Sequence, residues 1–203
     1  MKERGMIFNA EMVRAILDGR KTQTRRPVKF PLIDKNMGCE LAGNELAGEL
    51  AAHNYWNSPY GKPGDRIWVR ETFRVHSRAT DVATLVYRAS VRNSWTEQTH
   101  RVPIAVCDKP ATPEKWTPSI HMPRWASRIL LEITDVRVER LRDLSEEDAK
   151  SEGITPPAGG VLPGWEYRIN FRDLWMDIYG TDSWEANPWV WVIEFKRVEG
   201  AAL

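Results

Sequence analysis

Cysteine is scarce in this chain, with only Cys39 and Cys107 in 203 residues. There is no CxxC spacing and no histidine at a ligand interval, so neither a disulfide framework nor a zinc site is indicated, and a reducing compartment is expected. An excess of one charge is lacking too. The 29 basic and 28 acidic residues nearly cancel, which argues against a generic nucleic-acid coat and leaves any anionic partner to a local patch. No run approaches the roughly 18 apolar residues of a membrane span, and Met1-Lys2-Glu3-Arg4 opens no apolar leader. The expectation is a soluble, cytoplasmic protein with no membrane partner. No internal repeat is seen.

What the chain does have is enough length for one domain that buries roughly two thirds of its unfolded surface. Hydrophobic spacing predicts a helix over 10–18, with Met12, Val13, Ile16 and Leu17 on one face, Asn9 as N-cap and Gly19 as stop. The segment from 27 to about 64 is rich in Gly, Asn and Pro, with a short helix between Leu41 and Ala52. A strand is expected from Gly64 to Phe73, with Glu71 near its end. Strands over 82–88 and 99–107 flank a polar turn at Asn93 and Ser94, and Pro110, Pro113 and Pro118 make 108–118 a loop. Residues 128–141 read as the longest strand. Ser145 then caps a helix stopped by Gly153, with Glu152 at its end. After a Pro/Gly loop over 155–164, a helix over 169–178 places Phe171, Leu174, Trp175 and Ile178 on one face, and 189–195 reads as a closing strand. Strands outnumber helices without βαβ alternation, which points to an α+β fold, a small β-barrel with appended helices.

Gly19-Arg20-Lys21-Thr22-Gln23-Thr24-Arg25-Arg26 crowds cations and hydroxyls just where the first helix stops. Its charge predicts a place outside the core. Alone it fits a solvated basic loop, a phosphate-binding patch, or the lysine and threonine of a small hydrolytic site. Of the 10 tryptophans, those on strands and on the apolar helix face belong to the core. Trp125, beside Arg124, is the best pocket wall for a base.

Gly19, Lys21 and Arg26 fill the pattern glycine, any, lysine, two of any, glutamate, any, arginine, with Thr24 in place of the glutamate. On these residues the chain resembles the ASCH superfamily, whose barrel is similar to that of PUA RNA-binding domains. Threonine at that place resembles the branch of bacterial N(4)-acetylcytidine amidohydrolases. The resemblance implies a catalytic triad of Lys21, Thr24 and Glu152, with Glu146 and Glu147 competing with Glu152 for the third place. It also implies one PUA-like domain over 1–203, with insertions near 27–60 and 78–118. The runs Gly64 to Phe73 and His121 to Arg128 resemble longer phage and prophage ASCH proteins.

The activity this resemblance implies is removal of an acyl group from the exocyclic amine of an N(4)-acylated cytidine or cytosine, with no metal and no cofactor. Thr24 is then the nucleophile with a desolvated Lys21 as base, or else water attacks with Glu152 as base and Lys21 as electrophile. Arg26 or a backbone amide holds the oxyanion. Glu71, flanked by Arg70 and Arg74, reads as a substrate acceptor or as a surface ion-pair partner, and His121 and Arg124 as pocket residues or loop anchors. The alternative, which other ASCH branches suggest, is an RNA-binding module or ribonuclease in which Arg20, Arg25, Arg26 and Arg124 contact phosphates. A third reading is an accessory protein that only binds a partner. Oligomeric state is not legible.

Overall fold

The computed structural model describes residues 1–90, 99–155, 164 and 166–198. In chain order they form β1 (Glu3–Ile7), α1 (Ala10–Leu17), β2 (Gln23–Pro27), α2 (Gly43–Ala51), β3 (Arg66–Arg70), β4 (Phe73–Arg78), β5 (Val82–Tyr87), β6 (Thr99–Pro103), β7 (Leu130–Arg140), α3 (Glu146–Ser151), α4 (Glu166–Tyr179), α5 (Asp182–Glu185) and β8 (Trp189–Arg197). The class is α+β, with two sheets. The chain divides into two units, one from residues 1–18, 66–132 and the end from 197, the other from 19–65 and 133–196. The turn at Asn93 and Ser94 lies outside the described residues, as does most of the Pro/Gly loop over 155–164.

In the first unit β1 runs parallel to β3, which pairs antiparallel with the opening residues of β7. Strands β4, β5 and β6 form an antiparallel meander. Its apolar face, with Phe73, Val75, Leu85 and Val102, closes over Met122 and Ala126. Gly5 on β1 is required by its neighbour, because a Cβ there would stand 2.6 Å from the Trp68 ring. Helix α1 buries Val13 and Ile16, and Asn9 Oδ1 accepts from the Met12 amide.

In the second unit the strand order is β7-β8-β2. Five residue pairs join β2 to β8 antiparallel, from Gln23↔Glu194 to Pro27↔Val190. Over one face of this sheet Leu144 and Ala149 from the α3 segment meet Phe171 and Trp175 of α4, against Val190 and Val192 of β8. On the other face Trp191 and Tyr60 pack as a T-shaped pair, ring centroids 5.9 Å apart. Among the described residues no strand pairing closes either sheet into a ring.

Half of the basic cluster expected outside the core is buried, and its second part is strand β2, while Gly19, Arg20 and Thr22 stay exposed and Arg26 is half-buried. Lys21, Gln23, Thr24 and Arg25 are each 3 % exposed or less. Burial of the two cations, Lys21 and Arg25, is possible because acids from β7 and the α3 segment meet them there. The strand expected from Gly64 through Phe73 breaks at Glu71 and Thr72 into β3 and β4. On α4 only Phe171 and Trp175 are buried, while Ile178 faces solvent.

Candidate functional site

Helix α3 begins with a reciprocal cap: Ser145 Oγ accepts from the Asp148 amide at 3.0 Å, and the Asp148 carboxylate accepts from the Ser145 amide at 3.1 Å. It ends at Glu152, where Gly153 takes φ 83° and turns the chain away. That ending lies along the strand approaching β2, since the Thr22 amide donates to the Ser151 carbonyl at 2.8 Å and Lys21 bridges Glu152. Two residues far apart in sequence are thereby set side by side.

Their side chains meet directly. Lys21 Nζ donates to Glu152 Oε2 at 2.7 Å and to the Glu152 carbonyl at 2.9 Å. The other carboxylate oxygen, Oε1, accepts from Arg25 Nη1 at 3.3 Å. Arg25 Nη2 reaches Glu139 Oε1 at 2.6 Å and Asp148 Oδ1 at 3.5 Å. Gln23 Nε2 donates to Asp148 Oδ1 at 3.0 Å. Arg137 extends the network, with Asp148 Oδ1 and Glu139 Oε2 each at 3.3 Å and further bonds to Asp135 and Glu194.

Burial lowers the Lys21 amine below the ordinary lysine value. Glu152 opposes this shift, while Arg26 and Arg25 reinforce it. Asp148 goes the other way. Burial alone would raise its carboxyl, but hydrogen bonds from Ser145 and Gln23 and the Arg25 charge bring it down to about 2.

Thr24 sits on the same strand and is buried, but the register pairs it with Ile193 while Arg25 pairs with Val192. Its side chain therefore lies on the face of β2 opposite that of Arg25. Arg26 pairs with Trp191, on Thr24's face, and its charge acts on both Lys21 and the Tyr60 phenol. A cleft of about 380 Å³ is lined by sequence neighbours of both members of the central pair, among them Arg20, Thr22, Lys150 and Ser151, together with Tyr167 of α4.

Glu71, His121, Arg124 and Trp125 belong to the first unit. Glu71 is 2 % exposed and is gripped by a fork from Arg128, Nε to Oε1 at 2.9 Å and Nη2 to Oε2 at 3.0 Å, so its ion pair is buried. The Arg128 guanidinium lies 4.0 Å from the Tyr87 ring centre, and the Tyr87 hydroxyl donates to the Ala126 carbonyl at 2.8 Å. Burial raises the Glu71 carboxyl, with Arg128 opposing. Arg124 Nε donates to Glu3 Oε2 at 2.9 Å, Trp125 stands edge-on to Phe73, and His121 ends an exposed 3₁₀ turn.

Glu139 and Asp148 are not legible as site residues, and Arg25 is legible only as a charge near Lys21 or a phosphate contact, not as a partner of Glu152. The available signal was alternation: Lys21, Gln23 and Arg25 recur at the spacing of one strand face, a pattern hidden when the segment is read as a turn. Among the described residues no three His, Cys, Asp or Glu side chains gather to hold a metal ion, and no helix is long and apolar enough to cross a membrane. Compared with known protein families, with curated proteins and with solved structures, the chain matches none.

Proposed function

We propose that the second unit carries an amidohydrolase site for N(4)-acylated cytidine or cytosine, in a PUA-like domain of the ASCH type. One observation carries this reading: Lys21 and Glu152, the residues marked by the resemblance, are buried and share a 2.7 Å hydrogen bond. Amide hydrolysis must take a proton from the attacking oxygen and deliver one to the departing amine. A carboxylate and an ammonium in direct contact suit both tasks. Glu152 takes the proton of an attacking water, Lys21 gives its own to the leaving exocyclic amine, and Glu152 returns the captured proton to Lys21 across their hydrogen bond. The products are the carboxylic acid and the free cytosine amine.

A lysine whose amine is lowered by burial is the stronger acid, which favours the donation step. The register of Thr24 favours water over the threonine hydroxyl as nucleophile. Arg26 lies on Thr24's face of β2, so it is set aside as the oxyanion holder on the same ground, and its charge bears on the pair by lowering the Lys21 amine.

The test is incubation of purified, chelator-treated protein with N(4)-acetylcytidine and with bulkier acyl cytidines, following loss of their near-ultraviolet absorbance. Turnover that disappears in Lys21→Ala and Glu152→Gln is expected. No turnover with any of them overturns the reading, and salt-dependent binding or cleavage of single-stranded RNA would put the RNA-directed alternative in its place.

A further inference from the structure

We infer that Arg25 is a positioning residue for Glu152, fixing the orientation of its carboxylate so that one oxygen always faces Lys21. The inference rests on the amidohydrolase reading of the Lys21–Glu152 pair and adds to it a residue that the resemblance does not mark.

The geometry separates the two carboxylate oxygens. Oε2 accepts from Lys21 at 2.7 Å and Oε1 from Arg25 at 3.3 Å, so neither oxygen exchanges places with the other without breaking a charge-assisted bond. Arg25 in turn is held from behind. Its Nη2 binds Glu139 at 2.6 Å, with Asp148 at 3.5 Å, and the Phe171 ring centre lies 6.0 Å from its guanidinium carbon. Its Nε is buried with no hydrogen-bond partner, so the grip is exerted through the two terminal nitrogens. The side chain is 0 % exposed and its backbone is locked into β2 against Val192. A planar, permanently charged fork on a rigid strand is suited to orienting a carboxylate, and a lysine in its place would reach only one of these acids at a time.

The charged groups around Glu152 come from every neighbouring element: Lys21, Arg25 and Arg26 on the β2 segment, Asp148 on α3, Glu139 and Arg137 on β7, and Glu194 on β8. Removing Arg25 takes one cation from beside Lys21 and leaves Glu152 held by Lys21 alone. This has two effects. The Lys21 amine titrates at higher pH, because a neighbouring positive charge is gone. Turnover falls while substrate affinity is kept, because the carboxylate is no longer held in its reactive orientation.

The experiment uses the full chain as wild type, Arg25→Lys, and the double variant Arg25→Met with Glu139→Gln, which removes one charge of each sign so that no acid is stranded. Each is assayed for kcat and KM on N(4)-acetylcytidine, and the Lys21 side chain is titrated by NMR with ¹³C-labelled lysine. Both variants are expected to lose about 10- to 100-fold in kcat with KM within about twofold, and the Lys21 midpoint of the double variant is expected to move up. If folded variants keep wild-type kcat and the Lys21 midpoint stays put, Arg25 is only a stabilising group and the inference is overturned. If wild type turns over no acyl cytidine, the functional reading falls. The Lys21 midpoint then decides on Arg25 alone: an upward shift keeps its electrostatic hold on the pair, and no shift removes it.

Discussion

Lys21 Nζ holds Glu152 at two points, the carboxylate at 2.7 Å and the carbonyl of the same residue at 2.9 Å. The carbonyl accepts a hydrogen bond at any pH. The amine therefore stays beside Glu152 through a cycle in which the carboxylate gains and loses a proton.

That arrangement sets an order of costs. Glu152→Gln keeps the carbonyl bond but strands the Lys21 charge, and breaking a buried pair from one side costs about 3–5 kcal/mol. Lys21→Met costs less, because Arg25 continues to hold Glu152. Urea unfolding of the two variants checks the order, and a larger loss in Lys21→Met contradicts it.

Turnover should have an alkaline limb below the ordinary lysine value of 10.5, since burial lowers Lys21 and the step needs its proton. The linkage to stability has a definite sign. The folded state holds fewer protons than the unfolded chain between the lowered and the ordinary value, so Lys21's contribution to stability grows as pH rises through that window. A pH–rate profile checks the limb, and Lys21→Arg, which cannot release its proton, should abolish turnover while keeping the ion pair.

Asp148 answers to acid. Its carboxyl is held at about 2 against an ordinary 3.8, so its contribution is complete above 3.8 and lost as pH falls through about 2. Full linkage would be worth about 2 kcal/mol, and solvent screening of a partly exposed carboxylate reduces this to about 1 kcal/mol. Asp148→Asn should flatten the acid side of the stability profile by that amount in chemical unfolding between pH 2 and 5.

Gly43, the first residue of α2, has no room for a side chain: a Cβ there would stand 2.3 Å from Trp189 Nε1. Trp189 cannot yield freely, because the Arg140 guanidinium covers its ring at 4.4 Å. Gly43→Ala should cost about 1–3 kcal/mol, as overpacking does. Thermal unfolding measures the cost, and a shifted Trp189 indole N–H resonance locates it.

Legibility followed the range of the interactions. Helix α1 with its Asn9 cap, the Ser145 cap and the long β7 are legible because their signals are local: spacing, a capping side chain, alternation. Strands β1 and β2 are not, because segments this charged become strand only when distant partners accept them. Arg25 is buried because Glu139, Asp148 and Glu152 are there, which its own segment does not show. Lys21 and Glu152 stand out through the resemblance. The exposed readings of Glu71 and of the basic cluster fail for one reason: composition carries no record of a buried counter-ion.

The chain passes between its two units at 18/19, 65/66, 132/133 and 196/197. Neither unit is a continuous stretch, so no truncation from either end yields one intact. During synthesis on a ribosome, β8, which lies between β7 and β2, is the last strand to emerge. Lys21 and Arg25 are made early and stay in water, charged and unpaired, until the acids of β7 and α3 arrive and β8 gives them a sheet to join. The cluster's high charge favours water during that wait, and in the finished protein Lys21 and Arg25 carry theirs inside the fold.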